Sequence, residues 1–122
     1  MTKMNVTDLT REQIDLLDQV HSKVAANPPL ASLTALITLG LIEGEHITPL
    51  AEHLLMDYAT LSLIVYFTEK GLVEKYSYIL SRESIQRLEA EGLLQERSPH
   101  EYAVSDEAQA FVDSIHKREL NQ

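Results

Sequence analysis

Apolar side chains recur along this chain at two periods, and the changes of period mark out its elements. In LTREQIDLLDQVHSKVAAN, Ile14, Leu17, Val20 and Val24 fall three or four apart, the spacing of one helical face. Thr10 with Gln13 has the form of a capping box, and Leu9 with Ile14 that of a hydrophobic staple. A helix over 10–26 is therefore expected, stopped by Asn27 and the Pro28–Pro29 pair. A second helix, roughly 30–43, carries Leu33, Leu36, Ile37, Leu41 and Ile42, apolar on most sides as a central buried helix would be. Gly44 breaks it before a short extended piece at His46–Ile47. Thr48–Pro49 then has the form of a cap followed by Pro at the first helical position, opening a short third helix, PLAEHLL. Asp57 is expected to cap a fourth, YATLSLIVYFTEK (58–70), which ends where Gly71 supplies a left-handed residue.

Beyond Gly71 the period changes. LVEKYSYIL is rich in β-branched and aromatic residues and is expected as a tight hairpin turning near Tyr76–Ser77. Ser81 caps a fifth helix, RESIQRLEAE, which ends at Gly92. LLQERSPHEYAVS is the clearer hairpin, with its turn at Ser98–Pro99–His100. Ser105, with Asp106 and Glu107 in the first turn, opens a last helix through about Lys117, with Phe111, Val112 and Ile115 on one face. Helix, Gly, hairpin and capped helix are thus expected twice in succession.

The stretch ITPLAEHLLMDYATLSLIVYFTEKGLVEK resembles the winged helix-turn-helix of the MarR family of transcriptional regulators. The likeness lies in Ile47–Thr48, Leu50–Ala51–Glu52, Leu54, Asp57, Thr60, Ile64–Val65 and Glu69–Lys70–Gly71–Leu72–Val73. SRESIQRLEAEGLLQER, from Ser81 to Arg97, also looks like the recognition helix and wing entry of GntR-type winged helices. The resemblance covers most of residues 33–115. It implies a DNA-binding regulator whose terminal helices interlock in a homodimer, setting two recognition elements one helical turn apart on DNA. The chain departs from the family in the helix at 58–70. That helix offers Ser62, Leu63, Tyr66 and Phe67 where basic side chains would face the bases, with only Lys70 at its end. Apolar and aromatic residues at such a place suit a protein surface better than DNA.

Composition sharpens the choice. Ten basic against nineteen acidic residues give a net charge of −9, which argues against a binder that relies on phosphate neutralisation. Residues 70–100 nevertheless hold five of the ten basic residues, Lys70, Lys75, Arg82, Arg87 and Arg97, against five Glu. On the fifth helix Arg82 and Gln86 share a face flanked by Ser84 and Arg87; Arg reads guanine and Gln adenine in the major groove. Ser81 and the free N–H groups of the first turn suit a phosphate, and Arg97 and His100 lie on the following hairpin, where wings touch the backbone. The bland alternative is a solvated face whose arginines pair with Glu83, Glu89 or Glu91 at helical spacing.

Other chemistry is thin. The five His residues have no metal-ligand spacing, and there is no Cys, no Gly-rich phosphate loop and no nucleophile elbow. No enzyme activity, metal or cofactor is expected. The apolar run LASLTALITLGLI is too short to span a bilayer and the N-terminus has no signal-peptide core, so a cytoplasmic protein without membrane partners is expected.

The expected fold is mainly α with small β-hairpins: a winged helix-turn-helix with additional terminal helices. Residues 1–29 form a dimerisation helix, 30–105 the winged core and 106–122 a C-terminal helix. The leading function is a homodimeric transcriptional regulator bound to double-stranded DNA through Ser81, Arg82, Ser84, Gln86, Arg87, Arg97, His100, Lys70 and Lys75. The alternative is a winged-helix interaction module that meets a protein through Leu63, Tyr66 and Phe67.

Overall fold

The computed structural model describes residues 4–22 and 30–120. The fold is mainly helical with two small antiparallel hairpins, and it divides into two compact units, Met1–Leu55 and Met56–Gln122.

The first unit opens with a 3-10 turn at Val6–Asp8 and then α1, Arg11–Ser22. The expected capping box is formed: Gln13 N donates to Thr10 Oγ1 (3.1 Å) and Thr10 N to Gln13 Oε1 (2.9 Å). Such a box satisfies two of the N–H groups that a helix start leaves orphaned. Leu9, Ile14, Leu16 and Leu17 are buried. Val24 and the Asn27–Pro28–Pro29 stop lie outside the described residues.

Helix α2, Leu30–Thr38, is shorter than the expected 30–43 and is not a buried helix. Only Leu36 is fully buried, while Leu30 is 78% and Ile37 52% exposed. Its early end has a clear cause. Gly40 adopts φ +78°, Leu41 N bonds back to Leu36 O and Gly40 N to Ile37 O, which together close a Schellman stop. Leu41 and Ile42 are then buried at the entry to a hairpin, β1 (Ile42–Glu43) with β2 (His46–Ile47), where Ile42 faces Ile47. The extended segment at His46–Ile47 is as expected; its partner strand replaces the expected end of the helix.

Thr48 ties the hairpin to the next helix. Its hydroxyl donates to Gly40 O (2.7 Å) and accepts from Ala51 N (3.4 Å). Helix α3 then runs unbroken from Pro49 to Lys70. The expected break at 56–57 does not occur, and Asp57 caps nothing. No Gly or Pro interrupts residues 50–70, and the buried positions Ala51, Leu54, Leu61, Ile64 and Val65 keep one helical phase across the site. By length and composition alone α3 could cross a bilayer, but 44% of its most apolar stretch is buried inside the protein, as in the core helix of a globular fold.

Gly71 (φ +69°) closes α3 with a second Schellman stop, Leu72 N to Phe67 O and Gly71 N to Thr68 O. The chain does not then form the expected hairpin. Residues Val73–Tyr76 make a short helix, α4, followed by a 3-10 turn at Ser77–Ile79. The packing explains this. Val73 and Leu80 are buried and Tyr76 stacks on Phe67 (5.5 Å between rings), a spacing of three and four that belongs to a helix. Tyr76–Ser77 also lacks the residues that take positive φ in a two-residue β-turn.

The remaining elements form as expected. Ser81 caps α5, Arg82–Ala90, accepting from Ser84 N (3.3 Å). Gly92 (φ +76°) closes it, and β3 (Leu94–Ser98) pairs with β4 (Glu101–Val104) around the predicted turn. Ser105 caps α6, Asp106–Leu120, whose Ala108, Val112 and Ile115 are buried while Phe111 meets Tyr58 edge-on. The apolar stripes of α1 and α6 are thus largely buried within the chain.

Gly92→Ala tests the stop after α5 in isolation, because an added Cβ meets no atom within 4 Å and only backbone strain is at issue. The left-handed conformation costs alanine about 1–2 kcal/mol, partly offset by a less flexible unfolded chain. Urea unfolding is expected to show a net loss of about 1 kcal/mol with an unchanged helical spectrum.

Candidate functional site

Most of the residues singled out for DNA contact lie on α5 and the hairpin after it, and the two α5 arginines are both directed at carboxylates of the chain itself. Arg87 turns toward α3. Its Nε lies 3.0 and 3.2 Å from the two oxygens of Asp57, and its Nη2 2.8 Å from Oδ1. The same Nη2 also lies 3.2 Å from Ser84 Oγ. Asp57 is 1% exposed, so its carboxylate has left water and this guanidinium replaces what it lost. The hydrogen bond to Asp57 is the main reason the Arg87 pKa lies above its ordinary value. Ser84 is fully buried beneath Arg87 and faces no outside partner.

Arg82 is engaged differently. Its Nη1 donates to Glu96 Oε2 at 2.8 Å, joining the first turn of α5 to β3. Glu96 stands opposite Tyr102 in the hairpin register. The hydrogen bond from Arg82, and a second from Tyr102, hold the Glu96 carboxyl below the usual carboxylate range. Burial, then the bond to Glu96, pushes the Tyr102 hydroxyl above its ordinary value. Because Arg82 remains largely exposed, its pair with Glu96 is screened by water and orients the side chain more than it stabilises the fold.

The outward face of α5 is therefore acidic and polar. Besides Arg82 it exposes Glu83, Gln86 and Glu89. Ser81 is occupied as the cap, with its hydroxyl 3.5 Å from Met56 Sδ. Arg97 is exposed on β3, and His100 is exposed at the hairpin turn, its Nδ1 3.4 Å from Ser77 Oγ. Lys70 is exposed at the end of α3, and Lys75 lies over the ring of Tyr76 at 5.5 Å. The structure thus gathers Arg82, Gln86 and Arg87 on one helix, while Lys70 and Lys75 belong to the α3–α4 corner.

The residues of the protein-surface alternative separate. Phe67 is core, stacked on Tyr76; Leu63 is half-buried; Tyr66 is 49% exposed. The most exposed apolar side chain of this unit lies elsewhere, at Tyr78 (80%), with Ile79 beside it exposed to the same 49% as Tyr66, shortly before α5. A hairpin expected over 72–80 hides them, because its alternation gives no reason to single out these two positions. The pairing of Asp57 with Arg87 is hidden by the thirty residues between them. The available signal is an acidic residue inside an otherwise apolar helical run.

Among the described residues, no group of three His, Cys, Asp or Glu is placed to hold a metal ion. Comparison with protein families, with curated proteins and with solved structures finds no match to this chain.

The Glu96 shift sets a pH dependence. A carboxyl whose folded pKa is depressed adds stability above its unfolded value, near 4.5, and that contribution is lost as pH falls through the folded value. Wild type should therefore be more stable than Glu96→Gln at about pH 7, and that advantage should shrink as pH falls below about 4.5. Paired urea titrations of the two proteins check it.

Proposed function

We propose that this chain is a winged-helix-type module that binds a basic protein partner and does not act by binding DNA. The order of elements in the second unit supports the winged-helix reading: the C-terminal part of α3, α4 with its 3-10 turn, α5, the β3–β4 hairpin and α6. In that scheme α5 is the recognition helix and the hairpin is the wing.

The observation that carries the choice of partner is the disposition of charge on α5. Arg82, which shares its face with Gln86, is bound to Glu96, and Arg87, which flanks that face, is bound to buried Asp57. Outward on α5 are Glu83, Gln86 and Glu89, with Arg82 exposed but paired to Glu96, on a chain of net charge −9. Phosphates would be repelled by that face, whereas a basic protein surface is complementary to it. Tyr78 and Ile79, exposed at the head of α5, supply the apolar contact that such a partner would cover; Tyr is a frequent anchor in protein interfaces.

Two measurements separate this reading from DNA binding. A pool of random duplexes at about 50 mM salt should show no retained DNA, since at low salt even non-specific binders are retained. A salt-sensitive shift abolished by Arg97→Ala would overturn the proposal. In affinity capture, any partner held by the wild type should be lost with Tyr78→Glu, and Tyr78→Ala should weaken it by roughly 30-fold, the effect of removing an interface anchor. Capture that is indifferent to Tyr78 would remove this face from the account.

A further inference from the structure

Met56 lies on α3 directly before Asp57, where the start of α5 meets that helix, and it is 44% exposed. Two donors from the α5 region lie against its sulfur, Ser81 Oγ at 3.5 Å and Arg87 Nη2 at 3.9 Å, and both contacts are open to solvent. A thioether sulfur is a weak acceptor, so these donors gain little from it as it stands. Other contacts hold them there. Ser81 Oγ accepts from Ser84 N (3.3 Å) as the cap of α5, which leaves its O–H to be donated. Arg87 Nη2 is anchored by Asp57 Oδ1 at 2.8 Å. With no Cys in the chain, methionine is the softest sulfur nucleophile that an oxidant meets.

We propose that Met56 is a site of reversible oxidation, converted by hydrogen peroxide to a sulfoxide whose oxygen Ser81 and Arg87 receive. A lone pair on Sδ attacks one peroxide oxygen; the O–O bond breaks and an S–O bond forms. The departing hydroxide takes the proton carried by the transferred oxygen and leaves as water. Sulfur thus loses the two electrons that the peroxide gains. Negative charge grows on the departing oxygen as the O–O bond breaks, beside the Ser81 O–H and the Arg87 N–H. A hydrogen bond that strengthens as charge develops speeds the step. The product is accommodated as well. Arg87 Nη2 has two N–H groups: one stays with the Asp57 carboxylate, and the other exchanges Ser84 Oγ, a neutral acceptor at 3.2 Å, for the new oxygen. The ion pair is kept, and the exposed sulfoxide disturbs no core. A sulfoxide sulfur is chiral. Both donors approach from α5, so the oxygen is placed on the side of the sulfur facing that helix and one epimer forms in excess. None of this depends on the partner proposed above, so either reading can fail without the other.

The full chain is treated with dilute hydrogen peroxide, with free methionine in the same solution as the standard, and Met56 is followed by peptide mass spectrometry. Met56 should oxidise roughly five-fold faster than the free amino acid, the effect of about one hydrogen bond gained in the transition state. Ser81→Gly removes the hydroxyl but leaves a residue accepted at a helix cap, so the circular dichroism spectrum should not change. Its Met56 rate should fall to within about two-fold of free methionine. The wild type alone supplies the second readout. Of the two methionine sulfoxide reductases, each specific for one epimer, one should restore most of the oxidised Met56 and the other little. Oxidation no faster than free methionine, a rate unchanged in Ser81→Gly, or equal amounts of the two epimers would each overturn the proposal and leave Met56 an ordinary exposed methionine. Should the variant fail to fold, the epimer ratio of the wild type decides.

Discussion

The ion pair between Asp57 and Arg87 is the constraint on which the reading of the second unit depends. A carboxylate with 1% of its surface exposed requires a partner, and the partner comes from α5, thirty residues on. Three contacts of 3.2 Å or less fix the guanidinium against both carboxylate oxygens, so the pair sets the rotation of α5 about its own axis as well as its distance from α3. That rotation buries Ser84, Ile85 and Leu88 and leaves Glu83, Gln86 and Glu89 outward. Loss of Arg87 would strand the buried Asp57 carboxylate at a cost of roughly 3 kcal/mol, far more than an exposed pair such as Arg82–Glu96 contributes.

The same pair links structure to function. A helix with two arginines and a glutamine invites a base-reading interpretation when only its sequence is seen. With Arg87 turned inward and Arg82 lying against β3, α5 presents to solvent a mixed face with surplus negative charge. The aromatic and aliphatic side chains exposed just before it, Tyr78 and Ile79, are the contact that the proposed protein partner would cover. The first unit presents the opposite kind of surface, the uncharged outward side of α2.

Much of this is legible in the residues, and the departures have a common physical origin. Thr10 with Gln13, Thr48, Ser81 and Ser105 each have the form of a cap, and each hydroxyl accepts the expected backbone N–H. Caps are local, so sequence reveals them. Gly71 and Gly92 stand where helices should end, and both adopt positive φ. The element beyond a glycine stop is a different matter, because tertiary packing decides it. After Gly92 the chain pairs in a hairpin; after Gly71 the stacking of Tyr76 on Phe67 draws it into another helical turn. Asp57 is the sharpest case. As a local signal it has the form of a cap, and only the distant Arg87 makes it a stable residue in the middle of a helix. The exposure of α2 is hidden for the same reason, since an apolar run does not state which of its sides has a partner.

The central claim, that Asp57 and Arg87 are coupled through a buried pair that orients α5, is tested most directly by a double-mutant cycle. Unfolding free energies of Asp57→Ala, Arg87→Ala and the double variant are compared with wild type. A coupling energy of about 2 kcal/mol or more is expected, so that the double variant is far less destabilised than the sum of the singles. Additivity to within about 0.5 kcal/mol would contradict it, because the two side chains would then be independent and α5 would be free to present Arg87 outward.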